Sequence, residues 1–392
     1  MEATKPRFPS LTGIQVLGAV FGIAGLGYWA TTVGSNPETA WQSYTYGFFA
    51  WLTLSLGLLG LTILVNLVKA KWGLPFVRFS EAGVRMLVLM LLLAIPLVFV
   101  GLSHVYPWAK PGGVPEWGQT FAFKKAYLEP GFFTLRLALY FAIWLGFGFA
   151  LIRLGKKQDE TGDPNLENRR SSIAAAGAVF YVLAVTFAVT DLIMSLEEHW
   201  YSTIFGLLNV AGQALAGTAL VTVFLISVRN NETYEGVIPA RQWRDLGNLL
   251  FTLVVFWAYL AFSQLLIIWS GNLPEEITYY MNRSEGPWFY VGVAICFLHF
   301  LLPFLLLLSS RVKKTPGMLA GVAVFILLMR AAEVTWAVIP SLHREGLPFL
   351  PTDAAAFIGI GGIWVAVFCQ VLKSSKLIPS YAPVTRRLVE HA

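Results

Sequence analysis

The sequence predicts an all-α, polytopic membrane protein of ten transmembrane helices with both termini in the cytoplasm, and three observations carry that prediction. Hydrophobic residues fill 56% of the 392 positions and charged residues only 13%, too little charge to clothe a soluble chain of this length. Ten apolar windows are each long enough to cross the ~30 Å hydrocarbon layer of a bilayer. Lysine and arginine, finally, collect in alternate connections. No hydrophilic stretch is long enough to fold separately, so residues 1–392 are expected to form one integral-membrane domain.

The windows lie near 12–33, 45–68, 83–103, 132–153, 172–195, 202–228, 246–270, 288–310, 317–340 and 354–373. The first is too long for a signal-peptide core and lacks a small-residue cleavage site after it, so it is expected to stay as a helix. The sixth and seventh are the most polar. Pro96 and Pro303 fall inside spans and are expected to kink them, freeing carbonyls that neighbours or water must satisfy. With the N-terminus inside, 21 lysines and arginines fall on the cytoplasmic side and five, Lys110, Lys124, Lys125, Arg283 and Arg344, on the outer side. That imbalance sets the direction of every span.

Two connections stand out. Residues 155–171 (GKKQDETGDPNLENRRS) are charged and turn-rich and read as a mobile, solvated link. Residues 104–131 face outward and carry Pro107, Pro111, Pro115, Pro130, Trp108 and Trp117, a surface suited to docking another protein or to lying as a lid at the interface. Tryptophans near span ends, among them Trp29, Trp41, Trp72, Trp108, Trp200 and Trp288, read as an aromatic belt at the headgroups.

Composition also excludes functions. The net charge of +6 is spread through short loops rather than gathered on one face, which argues against a nucleic-acid partner. Cys296 and Cys369 both sit in apolar runs, which excludes a disulfide scaffold and a CxxCH haem attachment. Of five histidines, His104, His199, His299, His343 and His391, only His299 reaches mid-membrane, so a pair of bis-histidine haems has no ligands. No dinucleotide fingerprint, phosphate loop or HExxH is present. The chain is therefore expected to bind no metal and no cofactor of its own, leaving any electron transfer to partners.

Ionisable side chains at membrane depth cost roughly 2.5–3.5 kcal/mol each on insertion scales, so each one needs a reason. Arg330 and Glu333 stand three apart on one face of the ninth span. Glu333 lies seven residues before Pro340, roughly 10 Å beneath the outer boundary, with Arg330 about a turn deeper. His299 reaches a similar depth in the eighth span. Asp191 lies in the outer part of the fifth span, its face continued by Ser195 and Glu198, and His104 closes the third. The Arg330–Glu333 pair reads either as a neutralised packing element or as a protonatable site. Asp191 and His299 are equally open to a structural or a functional reading. Glu197, His199, Glu276 and His343 read as ordinary outer-loop residues, and Arg85 and Arg136 as snorkelling cations near span ends.

Four stretches carry a resemblance: DLIMSLEEHWYSTIFG from Asp191 to Gly206, SQLLIIWSGNLPEEITYY from Ser263 to Tyr280, HFLLPFLLLLSSRVKK from His299 to Lys314, and PLVFVGLSHVYPW around His104. Together they resemble the NrfD-like (polysulfide-reductase membrane subunit) superfamily, in the form of the second quinone-binding membrane subunit of alternative complex III, along essentially the whole chain. The resemblance implies spans two to five and six to nine as two four-helix bundles, with spans one and ten as a hairpin beside them. It implies partners: a larger NrfD-like paralogue, an external iron–sulfur subunit related to molybdopterin enzymes, and multihaem and monohaem cytochrome c subunits. Menaquinol is the implied reductant, iron–sulfur clusters and haem c lie on the partners, and the bacterial cytoplasmic membrane is the implied location. Asp191, His104, Arg330, Glu333 and His299 carry over as candidate functional positions without a ligand assignment.

Three functions fit this reading. The first is a non-redox subunit of a menaquinol:cytochrome c oxidoreductase that supports assembly and conducts protons through Asp191, Arg330, Glu333, His299 and His104. A second places a quinol pocket in this chain, with His104 or Asp191 accepting the proton. A third, a lone secondary transporter, lacks the matched pair of Gly/Pro-interrupted spans such sites use.

Overall fold

The computed structural model describes residues 11–111, 123–197, 199–231, 234, 238, 241–274, 276–343, 349–376 and 378–380. Ten helices long and apolar enough to cross a membrane follow one another: α1 (Leu11–Ser35), α2 (Pro37–Leu67), α3 (Val77–Val105), α4 (Pro130–Thr161), α5 (Asn165–Leu196), α6 (Phe205–Val228), α7 (Arg241–Gly271), α8 (Gly286–Leu308), α9 (Pro316–Leu342) and α10 (Pro351–Lys373). No strand occurs among the described residues. The all-helical, multi-pass architecture is thus the one the apolar windows predict.

The helices overrun several windows because polar residues extend them beyond the hydrocarbon. α2 starts at Pro37, where Asn36 caps it by accepting from the Thr39 backbone N–H at 3.1 Å and proline presets the first turn. Glu129 and Pro130 start α4 in the same way. The 155–171 segment is largely exposed, as a solvated connection would be, but it is mostly helical rather than an irregular link. α4 runs through it to Thr161, Gly162 ends the helix in the left-handed region at φ 66°, and α5 begins at Asn165. Gln158 and Arg170 within it are buried, and Asp159 pairs with Arg78 of α3. Those inward-facing polar groups tie the segment down.

α2 and α6 pack against each other at the centre, and each touches several further helices. Their crossing places Gly57 against Gly217: a Cβ on Gly217 would lie 2.8 Å from Gly57 backbone atoms. Lipid tails supply no hydrophobic drive between helices, so such small-residue contacts carry much of the association. α1 and α10 form the tightest helix pair, seamed by Gly22 and Gly25 against Gly359 and Gly362. At one end of that pair Lys373 Nζ donates to Thr12 Oγ1 at 2.9 Å and Gln15 Oε1 at 2.6 Å, so the ends of the first and last helices lie together.

Both intramembrane prolines disturb their spans as expected. A wide π turn, Leu97–Gly101, follows Pro96 in α3, and another, Ile295–Leu301, precedes Pro303 in α8. The aromatic belt is thinner than the sequence suggests. Trp41, Trp108 and Trp200 are core residues, with Trp200 stacked on Tyr279 at 3.9 Å between ring centroids. Burial of Trp108 also removes it from any outer docking surface, while Pro115 and Trp117 lie outside the described residues.

Candidate functional site

α9 brings Arg330 and Glu333 onto one face because three residues span most of a helical turn. Arg330 Nη1 donates to Glu333 Oε2 at 2.5 Å. The guanidinium lies against Gly212 of α6, where any Cβ would collide with it. His299 sits in the π turn of α8, fully buried, its ring edge-on to Trp257 of α7 at 4.3 Å. Neither of its ring nitrogens has a hydrogen-bond partner among the described residues. A buried unpaired imidazole costs free energy, and the π turn is what carries it inward.

Glu333 lines a cavity of about 690 Å³ between α6, α7, α8 and α9, closed at one end by the short helix Thr278–Ser284. Its walls are mostly apolar and aromatic, among them Phe262, Phe289 and Phe300. The polar groups gather at that end. Ser202 Oγ donates to Gln264 Oε1 at 3.0 Å, and Gln264 Nε2 donates to the Tyr280 hydroxyl at 3.1 Å. Burial pushes the Tyr280 phenol up to about 12, so it stays a neutral hydrogen-bonding group.

Arg283 completes that end. It is fully buried and donates to the carbonyls of Tyr279, Trp336 and Ala337 and to Ser341 Oγ, at 2.6 to 3.0 Å. Its guanidinium stacks over the Tyr279 ring at 3.5 Å. Ser341 Oγ in turn donates to Glu197 Oε1 at 2.7 Å, and Glu197 lies 3.9 Å from the Arg283 charge. Glu197 is therefore not an ordinary loop carboxylate, and Arg283 is not a loop cation. Both are buried structural charges, and Arg283 lines the closed end of the cavity.

Asp191 is elsewhere and differently held. It is fully buried in α5, where Arg136 of α4 grips it through Nε to Oδ2 and Nη2 to Oδ1, each at 2.9 Å. The Tyr140 hydroxyl donates to Oδ2 at 2.8 Å, and Arg136 Nη1 donates to the Tyr127 carbonyl at 2.6 Å. The guanidinium also lies over the Tyr127 and Phe132 rings. Arg136 does not snorkel, and water does not reach Asp191. Ser195 Oγ donates to the Asp191 backbone carbonyl rather than to its carboxylate, while Glu198 lies outside the described residues. His104 is half-buried at the end of α3, and neither His104 nor Asp191 lines the large cavity.

His343 is also misread from sequence. Its Nε2 meets the buried Asp353 carboxylate at 3.0 Å and its Nδ1 meets Gln42 Oε1 at 3.1 Å, fastening the end of α9 to the start of α10 and to α2. Ser43 Oγ donates to the same carboxylate at 2.6 Å. His199 and Glu276 are partly buried. Arg85, half-buried, donates to Ser375. The structure thus brings Arg330, Glu333 and His299 into one neighbourhood and leaves Asp191 and His104 outside it. Gln264, Tyr280 and Arg283 belong to that neighbourhood and were missed. Their signal was present in part, since Gln264 is a polar residue well inside an apolar span.

No protein-family model matches the chain, and no curated protein matches it.

Proposed function

We propose that this chain is a proton-handling subunit of a quinol-oxidising electron-transport complex in a bacterial cytoplasmic membrane, with Glu333 as its titrating group. The observation that carries the reading is the wall of the 690 Å³ cavity: an apolar chamber whose one mid-span acid, Glu333, is tethered to Arg330 through a single oxygen. Arg330 favours the ionised form of Glu333, and the carboxylate stands on the cavity wall, from which a proton reaches it. Gln264, Tyr280 and Arg283 give the cavity's far end the polarity to hold water, which a relay toward the outer face needs. Direction follows from the lysine and arginine bias, with both termini cytoplasmic.

The sequence likeness supplies the rest of the proposal. The chain works beside a larger NrfD-like paralogue, an external iron–sulfur subunit and cytochrome c subunits that carry haem c, its spans two to five and six to nine forming paired bundles. Glu333→Gln in the reconstituted complex tests this. Assembly survives and the proton-to-electron ratio falls. An unchanged ratio in the assembled mutant rules the reading out.

A second reading, a quinol pocket in this chain, is favoured by the same cavity, whose size and apolar walls with a few polar groups at one end suit a lipid-soluble ring. It moves the pocket away from His104 and Asp191 to the α7–α9 side. A photo-reactive quinone attaching near Tyr259, Phe262 or Cys296 supports it, and attachment confined to the paralogue removes it.

A further inference from the structure

A second, smaller cavity of about 190 Å³ lies at the opposite end of the bundle, where α2 and α4 finish and α5 begins. It shares no residue with the first. Three cationic residues line it, Lys69, Lys71 and Arg170, against one carboxylate, Glu167. Lys71 has no carboxylate within ion-pairing distance among the described residues, and Lys69 Nζ donates to the neutral Asn168 Oδ1 at 2.6 Å. The nearby acids Glu81 and Asp159 pair with Arg78, and Arg170 also lies within electrostatic reach of Glu81. The two lysines therefore bring positive charge to the cavity that no ion pair among the described residues neutralises.

Two further features point to an occupant. Lys69 adopts the left-handed backbone conformation, φ 49°, which side chains other than Gly, Asn and Asp rarely take. That turn, just past α2, is what sets Lys69 and Lys71 on one wall. Gln158, only 4% exposed, also lines the cavity, and its Oε1 has no hydrogen-bond partner. An orphaned buried acceptor asks for a donor. Cations together with an acceptor fit an anion that also carries hydroxyls. The volume, about six times the ~30 Å³ share of a liquid water, has room for a phosphate and a short polyol.

We propose that this cavity binds the phosphate of a hydroxylated headgroup, Lys69 and Lys71 meeting the phosphate oxygens and Gln158 Oε1 accepting from a hydroxyl. Phosphatidylglycerol supplies that chemistry from the bilayer and glycerol phosphate supplies it from solution. The position at the helix ends, level with headgroups on the lysine- and arginine-rich side, suits a lipid. The site is independent of the Glu333 reading.

Native mass spectrometry of the delipidated full-length chain tests it, with phosphatidylglycerol and phosphatidylcholine offered at equal concentration and glycerol phosphate offered alone. The wild-type chain retains phosphatidylglycerol, or glycerol phosphate if the source is soluble, in preference to phosphatidylcholine. The Lys69→Gln/Lys71→Gln variant, altered only at exposed residues, loses that preference by about tenfold. Lys156→Gln/Lys157→Gln, on the same end but outside the cavity, keeps it. Equal retention by the cavity variant, equal loss in the control variant, or no retention of either phosphate compound by the wild type overturns the proposal.

Discussion

Whether Asp191 belongs to a proton path or to the scaffold can be decided by breaking its pair with Arg136 in two ways. Three donors engage both oxygens of the carboxylate, two from the guanidinium and one from the Tyr140 hydroxyl, in a site with no exposure. Removing one partner of such a pair strands a buried charge, which costs about 3–5 kcal/mol. Asp191→Leu and Arg136→Met each carry that cost. Combined, they replace both charges with apolar groups of similar volume, and the double variant ends within about 2 kcal/mol of the parent, the residue being the unpaired Tyr140 hydroxyl and Tyr127 carbonyl. The two effects are thus far from additive. Reversible unfolding of the four proteins in mixed micelles by SDS titration measures the cycle. Single losses below about 1 kcal/mol, or a double loss equal to the sum, refute the reasoning. The assembled double variant also keeps the parental proton-to-electron ratio, because Asp191 is fully buried, lines neither cavity and has a donor on each oxygen. A lowered ratio puts Asp191 back on the path.

Two other outcomes follow from local geometry. Gly25→Val places a side chain where a Cβ alone would meet the Ala355 carbonyl and the Gly359 nitrogen at 2.6 Å, backbone atoms that cannot swing aside. α1 is forced away from α10 at a cost of about 1–3 kcal/mol, and hydrogen exchange quickens across α1 while α2 and α6 stay protected. Glu129 caps α4 by accepting from the Gly131 and Phe132 backbone N–H groups, which hold its carboxyl below the usual carboxylate value. Its folded pKa is depressed, so its contribution is present above the ordinary value of 4.5 and is lost as pH falls through the lower folded value. Exchange of the first-turn amides of α4 quickens over that acid range in the parent, whereas Glu129→Gln shows no such pH step.

The membrane character and number of spans were legible because hydrocarbon thickness imposes a length on apolar runs that no soluble fold shares. Helix ends were less legible. A window of hydropathy stops where charge begins, yet α4 continues through Lys156, Lys157 and Gln158 because Asp159 has a partner waiting in Arg78. The same limit hid the buried pairs. Arg136 lies near the start of one span and Asp191 near the end of the next, and depth alone allows either snorkelling or pairing. Only the neighbouring positions of α4 and α5 decide it. Arg330 and Glu333 were readable as a pair because one helix carries both, and spacing along a helix is local information. Glu197 with Arg283, and His343 with Asp353, join distant segments and leave no such trace.

Burial and pairing by themselves do not distinguish a working acid from a structural one, since Asp191, Glu81, Glu197 and Glu333 are each buried or nearly so and each lie beside an arginine. What separates them is access. Asp191 lines neither cavity and has a donor on each oxygen. Glu81 has a spare oxygen, Oε1, but is 2% exposed and lines neither cavity, so a proton has no approach to it. Glu197 accepts from Ser341 and neutralises Arg283, whose four other acceptors fix it in place. Glu333 alone in this set lines a cavity, where Arg330 and the Trp257 indole approach its carboxylate. A carboxylate that gains a proton loses part of its attraction to Arg330, and the guanidinium, pressed against Gly212, has little room to follow any other acceptor. Any proton gained or lost by Glu333 therefore changes the compensation of Arg330, and that coupling is what the Glu333→Gln variant removes.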